Sequence, residues 1–241
     1  MLIEFSGPAA SGKTTFVRHL LCEMPDVLPV LRSVNPNRKR PVRQLWTAAK
    51  QLHYFPLAFV HAHKWYRSTC EEDRSIMEAS FQMATEYCVY KAASRDSKLW
   101  LLDQGFLQFG SKLPQSAWNN PFEQAYLYQK AIWIGDGVVL ISMPPELSLS
   151  RITGRGGGRL LQQTAEKRGC SSAYDFLQKN LKLQEHRIKL ALSLKSSVLH
   201  LYVTEKDGVD GSLHRPEGCG ERDVDYWLEN IRHAFIGWWE S

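Results

Sequence analysis

The residues best equipped for chemistry stand near the start of the chain. Gly7-Pro8-Ala9-Ala10-Ser11-Gly12-Lys13-Thr14 satisfies the pattern G-x-x-x-x-G-K-[ST]. Its glycines allow a turn whose backbone N–H groups point inward, and a helix opening at Lys13 adds its own N-terminal donors. Together they would cradle the β- and γ-phosphates of a nucleotide. Lys13 supplies a point charge on those phosphates, and Thr14 offers a hydroxyl to Mg²⁺. Gly7, Ala10, Ser11, Gly12, Lys13, Thr14 and Thr15 are therefore the candidate nucleotide-binding residues. A match arises by chance in roughly one such chain in a hundred. Its setting, between an apolar strand and a helical pattern, is the one the chemistry requires.

Two further segments could act on what the cradle holds. Leu99-Trp100-Leu101-Leu102-Asp103 is an apolar run ending in a carboxylate. At the end of a neighbouring parallel strand, Asp103 would lie near the phosphate site. There it could hold Mg²⁺ or take the proton from an acceptor hydroxyl. The next residue is Gln104, not the Glu with which motor ATPases polarise water, and no Asn-Lys-x-Asp base-reading motif occurs. Transfer to a bound acceptor is thus favoured over hydrolysis. The second segment is Arg151-Ile152-Thr153-Gly154-Arg155-Gly156-Gly157-Gly158-Arg159. Arg151 and Arg155 are four apart on a helix face, and the glycine run then makes a hinge before Arg159. Mobile arginines closing over a transferring phosphoryl group would stabilise its charge and exclude water. The candidate catalytic residues are Lys13, Asp103, Arg151, Arg155 and Arg159; the candidate metal ligands are Thr14 and Asp103.

The elements that must position these groups alternate. Short apolar runs at Leu2–Ser6, Val27–Val34, Leu99–Asp103, Gly137–Met143 and Val198–Thr204 read as strands covered on both faces. Amphipathic stretches read as helices over Lys13–Met24, Ser75–Ser94, from Ser172 onward and over Asp223–Trp239. Ser172 and Asp175 fit a capping box, and Pro144-Pro145-Glu146 marks another helix start. Asn35–Ser97 is too long for a simple crossover and must hold extra helices. The pattern is α/β, with βα units around a parallel sheet.

Composition bounds the function classes. The chain has 241 residues, 44% hydrophobic and 23% charged, which excludes disordered and coiled-coil classes. A net charge of +5 suits phosphate-bearing ligands and is too small to declare nucleic-acid binding. The five cysteines form no CxxC pair, and with no leader recognisable they point to reduced thiols and a cytoplasmic location. No apolar run is long enough for a membrane span. The sequence does not fix the oligomeric state; a homodimer is one option.

The phosphate loop, the strand ending Leu102-Asp103-Gln104, the strand into Pro144-Pro145-Glu146 and the arginines from Arg151 to Arg159 together resemble the nucleoside and nucleoside-monophosphate kinase group of P-loop proteins. Within it they are most similar to thymidylate-kinase-like proteins, in an order that spans nearly the whole chain. The resemblance implies a P-loop NTPase fold, a three-layer α/β/α arrangement with a five-stranded parallel sheet in one domain. It implies ATP as donor, Mg²⁺, a lid at 151–171, and a pocket for a small-molecule acceptor built largely from 35–97. Lys13 and Thr14 carry over as phosphate and Mg²⁺ residues, Asp103 as the acceptor-facing carboxylate, and Arg151, Arg155 and Arg159 as lid arginines. In that group the strand acid is usually followed by Arg; Gln104 in this chain leaves nucleotides, nucleosides and sugar-like hydroxyl compounds open as acceptors. A regulatory ATP-binding module and a polynucleotide 5′-end kinase are the alternatives.

Other clusters read as structural. The basic run Arg38-Lys39-Arg40 with Arg43 is expected to be a solvated loop. His61 and His63 are expected to point to opposite sides of a helix and so not to share a metal. Trp238-Trp239 is expected to pack the last helix on the sheet.

Overall fold

The computed structural model describes residues 1–8, 10–24, 52–69, 76–77, 80–81, 83–85, 87–88, 91, 99–103, 135–167, 169–194, 196–204, 209–215 and 223–240. Five strands make one sheet: β1 (Leu2–Ser6), β2 (Trp100–Asp103), β3 (Gly137–Ser142), β4 (Ser197–Val203) and β5 (Val209–His214), in the order β2-β1-β3-β4-β5. The first four are mutually parallel, and β5 pairs antiparallel with β4. The sheet is thus mostly parallel rather than wholly so. Its fifth described strand is not Val27–Val34, which lies outside the described residues.

β5 escapes an apolar-run search for a physical reason. Val209, Gly211 and Leu213 alternate with the exposed Asp210 and Ser212, as a half-solvated antiparallel strand requires. Its register is tight at Gly211, where a Cβ would stand 3.0 Å from Leu201 Cδ2. β1, by contrast, is buried along its whole length, as a central strand covered on both faces must be. The strand starts are tied together: Asp136 Oδ2 accepts from Leu2 N (2.9 Å), and Ser196 Oγ donates to the Gly135 carbonyl.

Among the described residues the continuous helices are α1 (Lys13–Glu23), α2 (Phe55–Thr69), α3 (Pro145–Gly154), α4 (Gly158–Lys167), α5 (Ala173–Ser193) and α6 (Asp223–Glu240). Further helical positions recur between Ile76 and Lys91. The α1 sequence buries Lys13, Phe16, Val17 and Leu20, one stripe at i, i+3, i+4 and i+7. Right-handed crossovers leading opposite ways from β1 and β3 put α1 and α5 on opposite faces of the sheet. α6 joins α1, and their shared core with the sheet holds Ile3, Phe5, Phe16, Ile141, Leu228, Ile231 and Phe235. Phe16 packs edge-on against Phe5 and Phe235, at 5.5 and 4.4 Å between centroids. α5 lies against β3 and β4. This is a three-layer α/β/α fold.

The α5 start is capped by Ser172, whose Oγ accepts from Asp175 N (3.1 Å). Asp175 returns its carboxylate to Ser171 N (3.1 Å), one residue before the position that a capping box uses.

Candidate functional site

The loop after β1 is shaped by three backbone conformations. Gly7 has φ +155 and is pressed against β3: a Cβ there would collide with the Ile141 carbonyl oxygen and stand 3.2 Å from its carbon. Ala10 has φ +63, a left-handed conformation that costs a non-glycine residue about 1–3 kcal/mol. Gly12 has φ +89 and forms the N-cap of α1 with no side-chain cap. Two closely spaced left-handed residues leading into a helix start are the backbone pattern from which anion-binding concavities are built.

Lys13 sits inside that concavity. It is 5% exposed, and its Nζ donates to Gly7 O (2.7 Å), Pro8 O (2.6 Å) and Ser11 Oγ (3.2 Å). The ammonium is therefore fixed by the loop it serves. An anionic oxygen entering the concavity would replace a neutral acceptor of the ammonium with a charged one, which makes the stronger bond.

Thr14 is half-buried in the first turn of α1. Asp103 ends β2 level with Phe5 of β1, so its backbone stands two residues short of Gly7 on the neighbouring strand. A strand-end carboxylate and a helix-start hydroxyl are hard oxygen donors of the kind Mg²⁺ takes. Among the described residues no three His, Cys, Asp or Glu side chains gather into a metal cluster. A cation here would need ligand phosphate oxygens and water to complete its shell, as Mg²⁺ commonly does. Gln104, the Arg38–Arg43 cluster and Cys70 lie outside the described residues.

The arginine segment is more ordered than a loop. α3 opens at Pro145, with Glu146 in its first turn, and closes at Gly154. Gly156 takes a left-handed turn (φ +75), and the Gly156 and Gly157 N–H groups return to Thr153 O and Ile152 O at 2.9 Å each. α4 restarts at Gly158. The helix pair is fastened to α5 by Leu149, Ile152, Leu161, Phe176 and Leu177. It is also joined by Tyr174 Oη donating to Glu146 Oε1 (2.6 Å), a bond that holds the Glu146 carboxyl below its usual range. Arg155, the C-cap of α3, and Arg159, in the first turn of α4, are exposed.

Arg151 differs from both. It is half-buried, with its guanidinium 5.1 Å from the centroid of the Trp239 ring. The same indole borders the loop: a Cβ on Gly12 would lie 3.7 Å from Trp239 Cζ3. The end of α6 thus stands between the phosphate loop and Arg151. Trp238 packs beside Phe16 and His19 of α1, at 6.4 and 5.8 Å. The expected packing of the Trp pair is therefore present, but its location at the loop is not legible in sequence. The available signal was that 238 and 239 follow the core residue Phe235 at i+3 and i+4, on its face of the helix.

Two more features belong to the surroundings. On α2, Phe55, Phe59 and His63 stack at successive i+4 steps, with 6.0 Å between neighbouring centroids. Phe59, Val60, His63, Lys64 and Arg67, all on this helix, line an open depression of about 500 Å³. On the sheet face away from α1, Ser142 Oγ and His200 Nε2 meet at 2.7 Å. Burial, with His214 nearby, pushes the His200 imidazole down to about 4.

No family model and no curated protein matches the chain. Among solved structures it is similar to shikimate kinase from Acinetobacter baumannii in complex with shikimate (TM-score 0.38, 17% identity, covering 98% of this chain and 93% of that one). It is also similar to thymidylate kinase from Ehrlichia chaffeensis (TM-score 0.33, 14% identity, 98% of each chain). The fold stands on the sheet order and the loop conformation. The chain is built on a P-loop α/β/α fold.

Proposed function

We propose that this chain is an ATP-dependent small-molecule kinase. It would transfer the γ-phosphoryl group to a hydroxyl or phosphate of a nucleotide, nucleoside or sugar-like acceptor. The observation that carries this reading is the Lys13 ammonium held by Gly7 O, Pro8 O and Ser11 Oγ inside a loop of left-handed turns. A buried cation at the start of a helix is a site for a polyanion, and a nucleoside triphosphate is the polyanion that supplies a transferable group.

In this reading, the loop N–H groups and Lys13 bind and orient the phosphates. Thr14 and Asp103 would hold Mg²⁺, which when bound neutralises charge on the phosphate oxygens. Asp103 orients the acceptor hydroxyl and takes its proton. Arg151, Arg155 and Arg159 bring positive charge to the transferring group, and the segment 151–171 acts as a lid that excludes water. Residues 35–97 hold the acceptor. The α2 depression supports this assignment, since stacked aromatics beside Lys64 and Arg67 suit a planar, anionic molecule. We place the whole chain in one domain, acting in the cytoplasm.

The test is an acceptor panel of nucleosides, nucleoside monophosphates and sugars, assayed for ADP with Mg·ATP and with Lys13→Ala as the blank. ADP formed with one acceptor class supports the kinase. Tight ATP binding without turnover across the panel would instead identify a regulatory module. Steeply salt-dependent binding of oligonucleotides would identify a polynucleotide kinase.

A further inference from the structure

Trp239 has no role in the scheme above, yet it touches both of the cationic elements that the scheme uses. One edge of its indole borders Gly12, the residue that caps α1 and precedes Lys13. The Arg151 guanidinium lies over its ring at 5.1 Å. The ring itself is braced. Phe235 stacks on it at 5.5 Å and 26°, and Trp238 meets it edge-on at 5.4 Å and 74°. Its Nε1 is buried with no hydrogen-bond partner among the described residues. The indole is therefore held by its faces and rim, not by its one polar atom.

This arrangement answers a problem that a lid arginine poses. A free arginine side chain has many rotamers, and ordering it on a ligand costs entropy. Stacking on an indole removes that freedom beforehand. The indole in turn cannot drift, because α6 is anchored in the core by Leu228, Ile231 and Phe235.

We propose that Trp239 is a positioning residue. Its indole holds Arg151 beside the mouth of the phosphate loop, so that α6 fixes the reach of an arginine carried by α3. The inference rests on the reading of the loop as a nucleoside triphosphate site.

A double-mutant cycle on the full chain tests it, with Mg·ATP affinity as the readout and the thermal midpoint of each variant recorded. Trp239→Met fills similar space without a π face and should weaken Mg·ATP about tenfold. Trp239→Phe keeps a face and should stay within about threefold of wild type. Adding Trp239→Met to Arg151→Ala should cause no further loss, because the residue acts only through Arg151. Wild-type affinity in Trp239→Met, or a full further loss in the double variant, overturns the proposal. Should Trp239→Met not fold, the emission difference between wild type and Trp239→Phe carries the test. It should change on adding Mg·ATP, and the same difference between the Trp239 protein and Trp239→Phe measured in an Arg151→Ala background should not; an unresponsive difference in the wild-type background overturns the proposal. Wild-type protein that binds no Mg·ATP overturns the nucleotide reading itself, whereas wild-type binding with an unaffected Trp239→Met sinks only the role of Trp239.

Discussion

The loop Gly7–Thr14 and the turn between α3 and α4 are both glycine-rich and both carry cations, yet they hold them in opposite ways. Lys13 is buried, with three loop acceptors around its ammonium. Arg155 and Arg159 stand exposed on either side of a turn in which Gly154 and Gly156 have nothing within 4 Å of a would-be Cβ and Gly157 alone is tight, 3.0 Å from Ile152 Cγ2. Gly7 is required because nothing larger fits against the Ile141 carbonyl, whereas Gly156 serves the left-handed path of the backbone in open space. The first region is a built socket. The second is a presented surface, and Arg151, half-buried on Trp239, lies between the two. Glycine content is therefore a poor guide to rigidity; what surrounds the glycine decides.

The contrast can be broken from either side. The largest expected effect is at the socket: Lys13→Ala should lower transfer by about 10³-fold or more with little change in the unfolding midpoint. Gly7→Ala attacks the same region through packing and should destabilise the fold by about 2–4 kcal/mol in denaturant titration. Asp103→Asn, at the strand end beside the socket, should reduce kcat by about 10²–10⁴-fold; wild-type turnover would remove it as the base. Arg159→Ala, on the presented surface, should cost about 10²-fold in kcat, with stability within about 0.5 kcal/mol of wild type. A stability loss there as large as that of Gly7→Ala would erase the distinction between the regions.

The smallest effect on transfer should come from His200, which lies in neither region. An unfolded imidazole titrates near 6.5, whereas folded His200 resists protonation down to about 4. As pH falls through that window the unfolded state takes up the proton first, so stability drops by on the order of 3 kcal/mol. His200→Gln should flatten that part of the stability profile between pH 6.5 and 4, while leaving transfer at pH 7 close to wild type.

Much of this fold is legible along the chain. β1 matches its expected span, β2, β3 and β4 come within a residue at each end, and α1 begins at Lys13. These are elements whose own residues carry the signal: continuous apolar runs for buried parallel strands, and a stripe at helical spacing for α1. β5 is different, because half its residues face water and its place depends on pairing with β4. α4 is hidden for a related reason. A run of glycines reads as a break, and only the return of the Gly156 and Gly157 N–H groups to α3 shows that one helix ends and another begins.

The candidate phosphate loop is legible in residue order, because such a loop depends on local backbone freedom and on a lysine at fixed spacing. So are the candidate strand acid and the arginines, as residue types in order along the chain. Which of these groups meet depends on how the helices pack on the sheet. Trp239 is 227 residues from Gly12 and 88 from Arg151 in the numbering, and no local pattern relates them. Gly12 and Trp239 come together because α1 and α6 bury their apolar stripes against the same face of one sheet, and Arg151 joins them on the helix that follows β3.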